Sequence, residues 1–322
     1  MNFKRAVSAV LLSLAACAGP ALAQWPAKPI TLVVPFPPGG GTDTFARPLA
    51  AQLTKQLGKP IVVENRGGAG GTIGASIAAK NAGDGYTFFL GAVHHAIAPS
   101  FYKKLDYDIE KDLIPITVVA SPPQVIVVNP DRLKVNSLKE LLDAARQNPN
   151  KYNYGSAGNG TSHHLAGELF KQVTKVSLVH VAYRGAGPAL SDLVAGNIDM
   201  MFDGLGSSAQ HVRSGRIKAL AVAAPKRAEA FPDVPTAAEA GVPGYEVSTW
   251  YGLWGVKGTP KEIIDRMHAE VVKALQTPQI REVWTSNGSD TKTMTPAEFA
   301  AFLNQEMKRW AEVTRISGAK LE

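Results

Sequence analysis

The chain has 322 residues, 45% hydrophobic and 19% charged, the make-up of an ordinary globular protein with room for two lobes rather than one small core. Its net charge of +7 comes from scattered residues such as Lys103, Lys104, Arg213 and Arg216, not from a basic block interleaved with aromatics, which argues against a nucleic-acid partner. A single cysteine, Cys17, excludes a disulfide framework and any thiolate metal cluster.

Lys4 and Arg5 precede an apolar run over residues 6–16, and Ala21-Leu22-Ala23 fits the small-x-small rule for signal cleavage. That run is shorter than the roughly 20 residues a membrane helix needs. Residues 1–23 therefore read as a signal peptide directing a soluble protein to the periplasm. A second exit route stays open, because Leu14-Ala15-Ala16-Cys17 also resembles a lipobox, with acylation at Cys17.

The mature chain opens on a β-branched apolar strand, residues 30–34, of the kind buried on both faces of a parallel sheet. Pro35 to Gly41 ends it, Thr42-Asp43 offers an N-cap, and residues 45–57 have helical periodicity up to Gly58. A strand over 61–64, a glycine-rich turn over 67–71, a helix over 73–80 and a strand over 86–90 complete a first set. The pattern then restarts. Residues 124–128 form a strand, and Ser137 with Glu140 opens a helix over 137–147 as a capping box. A strand ending at Tyr154 meets a second glycine-rich turn, Gly155 to Thr161, and a helix over 163–172. Strands over 178–181, 200–202, 219–223 and 250–256, a helix over 189–195 opened by Gly185-Ala-Gly-Pro188, and two amphipathic helices over 262–275 and 296–316 finish the chain. The alternation predicts an α/β fold of two doubly wound lobes with a ligand cleft between them: 24–122 with 246–322 as the first lobe, 123–245 as the second.

Glycine-rich turns that open helices suit an anion. The first turn of a helix exposes unpaired N–H groups and carries about half a positive charge, and glycine lets the ligand come close. One such turn per lobe would grip a small carboxylate from both sides. Neither turn carries a dinucleotide or P-loop pattern, so no cofactor is expected. Gly155-Ser156-Ala157-Gly158 lacks the first glycine of a nucleophile elbow, because Tyr154 stands there, and the chain is not read as an enzyme. His94-His95 and His163-His164 are adjacent pairs, about 100° apart on a helix, and no metal site is expected of them.

Several ordered motifs carry a family resemblance. They are Lys28-Pro-Ile30, Val34-Pro-Phe-Pro-Pro-Gly-Gly-Gly-Thr-Asp43, Arg47, Val63-Glu-Asn-Arg66, Gly68-Ala-Gly-Gly-Thr-Ile-Gly74 and Asp84-Gly-Tyr-Thr87. The second half adds Tyr154-Gly-Ser-Ala-Gly158, His164-Leu165, Val181-Ala-Tyr-Arg-Gly185, Asp199-Met-Met-Phe-Asp203, Pro232-Asp-Val-Pro-Thr236 and Glu239-Ala-Gly241. From about Trp25 onward the chain resembles the Bug-type (TctC-like) periplasmic receptors of tripartite tricarboxylate transporters. The resemblance implies a type 2 periplasmic-binding-protein fold, monomeric, that closes over a carboxylate and delivers it to membrane permease subunits. A periplasmic sensor working with a signalling partner, and a secreted serine hydrolase using Ser156, are the alternatives.

Carried onto this sequence, the resemblance places Phe36, Pro38, Gly39, Gly40, Thr42 and Asp43 on one side of the ligand, and Ser156, Ala157, Gly158 and Thr161 on the other. Tyr183 and Asp203 lie in family motifs at the cleft. Asp203 has two readings, a partner for a ligand amine or an anchor for a loop. Arg184 is either a charge partner for a second carboxylate or a solvated rim residue. His94 or His95 stands where the family varies its ligand-selecting side chain, with His94 taken as the contact, and His164 is expected to pack inside the lobe. The sequence does not specify which carboxylate is bound.

Overall fold

A computed structural model describes residues 25–247 and 249–319. The expected signal peptide and Cys17 lie outside the described residues. In chain order the elements are β1 (Ile30–Val34), α1 (Gly41–Leu57), β2 (Ile61–Asn65), α2 (Thr72–Ala79), β3 (Thr87–Ala92), α3 (His94–Phe101) and β4 (Leu113–Ala120). Next come β5 (Gln124–Val128), α4 (Leu138–Gln147), β6 (Asn153–Ser156), α5 (Ser162–Thr174), β7 (Val179–Ala182), α6 (Ala186–Ala195), β8 (Met200–Gly204), α7 (Leu205–Arg213) and β9 (Lys218–Val222). The chain ends with β10 (Tyr251–Val256), α8 (Lys261–Leu275), α9 (Pro278–Ser286) and α10 (Pro296–Ser317).

The strands form two five-stranded sheets, ordered β2-β1-β3-β10-β4 and β7-β6-β8-β5-β9. In the first, β1 runs parallel to β2 and β3, while β10 is antiparallel to β3 and β4. The second repeats the plan, with β6 parallel to β7 and β8 and β5 antiparallel to β8 and β9. The chain passes between sheets after β4 and returns before β10. The parallel strands thus end at one edge of each sheet, and the loops after them carry the glycine-rich turns.

Successive residues of β1 face opposite sides of the sheet and both sides are covered, which explains why four of its five residues are apolar. Leu32 and Val34 pack with Phe88 and Leu90 against Phe45, Leu49 and Leu53 of α1 and Met267 and Val271 of α8. Val33 and Phe89 face the opposite side, toward Ala75 and Ala78 of α2, Ile97 of α3 and Trp254. Each such buried side chain contributes roughly 1.5–3 kcal/mol of transfer free energy.

Some elements depart from the sequence reading. The first helix starts at Gly41, so Gly40 rather than Thr42 or Asp43 is its N-cap, with no side-chain cap. Asp43 sits in the first turn instead and reaches back to accept the Gly39 N–H at 3.2 Å. Ser137 does cap α4, accepting the Glu140 N–H at 3.2 Å, but the Glu140 carboxylate takes the N–H of Asn136 rather than that of Ser137. β4, α3, α7 and α9 are additional elements. The last helix, α10, opens on a full capping box, Thr295 with Glu298, and packs on α3 and β4 and also on α5 of the second sheet's layer. Its buried Glu306 accepts hydrogen bonds from the indoles of Trp250 at 2.8 Å and Trp310 at 3.1 Å, tying the helix to the segment that enters β10.

Candidate functional site between the two sheets

The loops at the facing sheet edges touch directly. Ser162 at the start of α5 donates its N–H to Nδ1 of His94 at 3.0 Å, and Tyr102 donates to the carbonyl of Asn159 at 2.8 Å. The approach is close enough to require glycine. A Cβ on Gly187 would lie 2.3 Å from the Pro38 carbonyl, and one on Gly70 2.9 Å from that of Asn159. The lobes are shut.

Three helix N-termini converge in this space. Gly40 caps α1, Gly185 caps α6 and Gly204 caps α7, each without a side-chain acceptor. The Gly41 Cα lies beside Tyr251 and Ser207, and Gly40 packs on Ala186 and Gly187, so the first turn of α1 is bracketed by those of α6 and α7. Among the described residues, no protein acceptor takes the N–H of Gly41, Thr42, Asp43, Ala186, Gly187, Gly206 or Ser207. Like-signed helix ends held together with their donors unspent create a positive potential that an anion relieves.

The first-sheet loop is built to hold this position. Asp43, 6% exposed, accepts from Gly39, from the Asn65 amide at 3.1 Å and from the Arg47 guanidinium at 2.9 Å. Asn65 also donates to the Phe36 carbonyl at 2.8 Å. Asp43 therefore sets the loop that aims the α1 donors. Phe36 is buried edge-on against His94, Thr42 is buried, and Pro38 and Gly39 are exposed at the mouth.

The second-sheet loop spends its own donors. Ser156 Oγ accepts the Gly158 N–H at 3.1 Å and bonds to His180 Nε2 at 2.7 Å. Thr161 donates its hydroxyl to the Gly158 carbonyl at 2.7 Å and caps α5, while Gly160 donates to His164 Nδ1 at 3.2 Å. Ala157 is buried within this loop. The Ser156–His180 contact has the shape of a nucleophile–base pair, but the serine is fully buried. Burial and the neighbouring His164 also push the His180 imidazole down to about 3, leaving a poor base. The pair staples the loop.

The remaining sequence-derived residues are placed as follows. Tyr183, half-buried, donates its hydroxyl to Asp192 at 2.6 Å within its own lobe, and Arg184 is exposed. Asp203, next to last in β8, is fully buried, and one carboxylate oxygen accepts from the hydroxyls of Ser207, at 2.8 Å, and Ser208. His164 stacks on His180 at 4.1 Å. The donors of α6 and α7 were not singled out from sequence. The Gly185-Ala-Gly187 signal for α6 was visible, whereas α7 carries only Gly204 and Gly206 in an otherwise polar segment.

Burial holds three imidazoles at this interface below the usual 6.5: His94 well below it, His95 at about 4, and His163 lowered despite the opposing pull of Asp203. His95 is also fixed by the Ala92 N–H and the Gly71 carbonyl. A neutral buried histidine is protonated more readily once unfolded, so its contribution is complete above about pH 6.5 and is lost as pH falls toward the folded value. By pH 5 the loss at His95 alone should reach about 2 kcal/mol. Melting temperature is therefore expected to fall by several degrees between pH 7 and pH 5, and less steeply in His95→Gln. An equal melting temperature at both pH values would refute this.

Behind the lobe crossings lies a separate cavity of about 700 Å³, lined by Pro122, Ala224, Arg227, Trp250 and Phe302. Among the described residues that line it, none opens a helix.

A two-lobed α/β frame with helix ends from both lobes turned on one shared space defines a binding protein of the periplasmic solute-binding class. The chain belongs to the tripartite tricarboxylate transporter family receptors, whose pattern it matches over residues 45–318. It is 38% identical to protein BugT of Bordetella pertussis over 327 residues, covering 100% of both chains. An R. palustris protein solved with adipate superposes with a TM-score of 0.89 at 37% identity, covering 92% of this chain and 100% of its own. MatC of Rhodopseudomonas palustris, solved with malate, superposes at 0.85 with 35% identity, covering 90% and 99%. Among the described residues no helix is long and apolar enough to cross a membrane.

Proposed function

We propose that this chain is a periplasmic receptor that closes on a small organic carboxylate and delivers it to the permease subunits of a tripartite tricarboxylate-type transporter. One observation carries the reading: the uncapped first turns of α1 on one lobe and of α6 and α7 on the other meet with their donors unspent. Adipate and malate in the two related structures are the right chemistry for such a place. A charge-assisted hydrogen bond contributes roughly 1.5–3 kcal/mol, so three or four, less ordering costs, suffice for micromolar binding without an arginine clamp. We take 24–122 with 246–322 as the first lobe and 123–245 as the second, with residues 1–23 as the export signal.

Thermal-shift measurements on the mature protein with aliphatic and aromatic carboxylates test the reading. A ligand at 100 times its dissociation constant should add about 2.7 kcal/mol, a rise of several degrees. No stabilisation by any carboxylate at saturating concentration would end it.

A further inference from the structure

Asp203 is an unexpected group in a site for anions. It is fully buried, and its second carboxylate oxygen, Oδ1, has no hydrogen-bond partner. The closest charged or imidazole group is Nδ1 of His163 at 3.6 Å, beyond hydrogen-bonding range and itself unpartnered. A third buried polar atom without a partner, Oε1 of Gln124, lies on the same rim, where the Gln124 amide donates to Ser162 next to His163. Buried polar atoms are nearly always paired in native proteins, so three on one rim of a ligand space imply a missing partner. Both Gln124 Oε1 and Asp203 Oδ1 are acceptors. Serine hydroxyls occupy the other oxygen of Asp203, so an anchoring role for this residue uses only half of its carboxylate. Gly204, next to Asp203 in the chain, lies near Tyr251, which also stands against Gly41, and Ser207 of the first turn of α7 bonds to Asp203, so the residue sits close to the first turns of α1 and α7.

We propose that Asp203 is a specificity-determining residue: it accepts a hydrogen bond from an ammonium or hydroxyl group that the ligand carries next to its carboxylate. The proposal rests on the carboxylate-receptor reading above and narrows it to amino or hydroxy acids. A bare carboxylate offers no donor and would leave the buried Asp203 Oδ1 without a partner, a mismatch that sites built around a ligand donor reject strongly.

Calorimetry on the mature chain with matched sets decides it: succinate, malate and aspartate; glutarate, 2-hydroxyglutarate and glutamate; phenylacetate, mandelate and phenylglycine. Within whichever set fits the cleft, a donor-bearing member is expected to bind at least about tenfold tighter than the bare acid. The amine and hydroxyl arms show which donor is read. Asp203→Asn should shrink the gap to about threefold or less, and the wild-type ranking stands as a test even if that variant folds poorly. The proposal is overturned if the bare acid binds as tightly as its partners, or if their ranking survives Asp203→Asn. If no member of any set binds, the carboxylate reading falls and this inference with it.

Discussion

Gly41→Ala is expected to weaken ligand binding by about ten- to a hundredfold while leaving the protein folded. A Cβ at this position would stand 1.9 Å from Tyr251 Oη and 2.8 Å from its Cζ. Tyr251 cannot swing aside, because it is 3% exposed, packs on Phe45 at 5.3 Å and lies on β10, a strand paired on both sides. The first turn of α1 must back away instead, withdrawing the three N–H groups that we propose meet the anion. Overpacking of this kind costs about 1–3 kcal/mol, and because Gly41 and Tyr251 both belong to the first lobe that cost is present whether the lobes are open or shut, so the loss of affinity comes from the displaced donors. Adding Tyr251→Phe removes the nearest clashing atom and should restore part of the affinity. Calorimetric affinity within threefold of wild type for Gly41→Ala would show that the α1 donors do not hold the ligand.

Asp43→Ala should be the more damaging change to stability. The carboxylate organises Gly39, Asn65 and Arg47 at once, and its loss leaves the Gly39 N–H and the Asn65 amide without an acceptor they now have. Losing a first-turn acceptor and a partly buried hydrogen bond together costs about 2–3 kcal/mol. The ion pair adds little, because the Arg47 side chain is 52% exposed and solvent screens it. Arg47→Ala is therefore expected to cost below about 1 kcal/mol. Denaturant unfolding of the two variants separates these terms. If Asp43→Ala proved no more destabilising than Arg47→Ala, the carboxylate would not be organising the loop.

The legible parts of the fold are those where local chemistry and burial agree. β1 and β5 are almost wholly apolar because both faces are covered, and the strand-to-helix turns declare themselves through glycine and proline. β4 carries no clear strand pattern because Pro115 interrupts it. The structure places β4 at the edge of its sheet, where a missing N–H costs nothing. Pro99 likewise disguises α3, and α7 is short and polar. In the site, the approach of Gly40 and Gly41 to Ala186, Gly187 and Ser207 joins residues about 150 positions apart, beyond the reach of any local pattern. Nor could the sequence distinguish a glycine loop whose donors are open, as at α1, from one whose donors are consumed, as between Ser156 and Thr161.

That last contrast has an energetic consequence. Because Ser156, His180, Thr161 and His164 already fix the second-lobe loop, its ordering entropy is settled during folding rather than at capture. On the proposed reading, a guest would meet one jaw whose shape is already set, so less of its contact energy would go into ordering the loop.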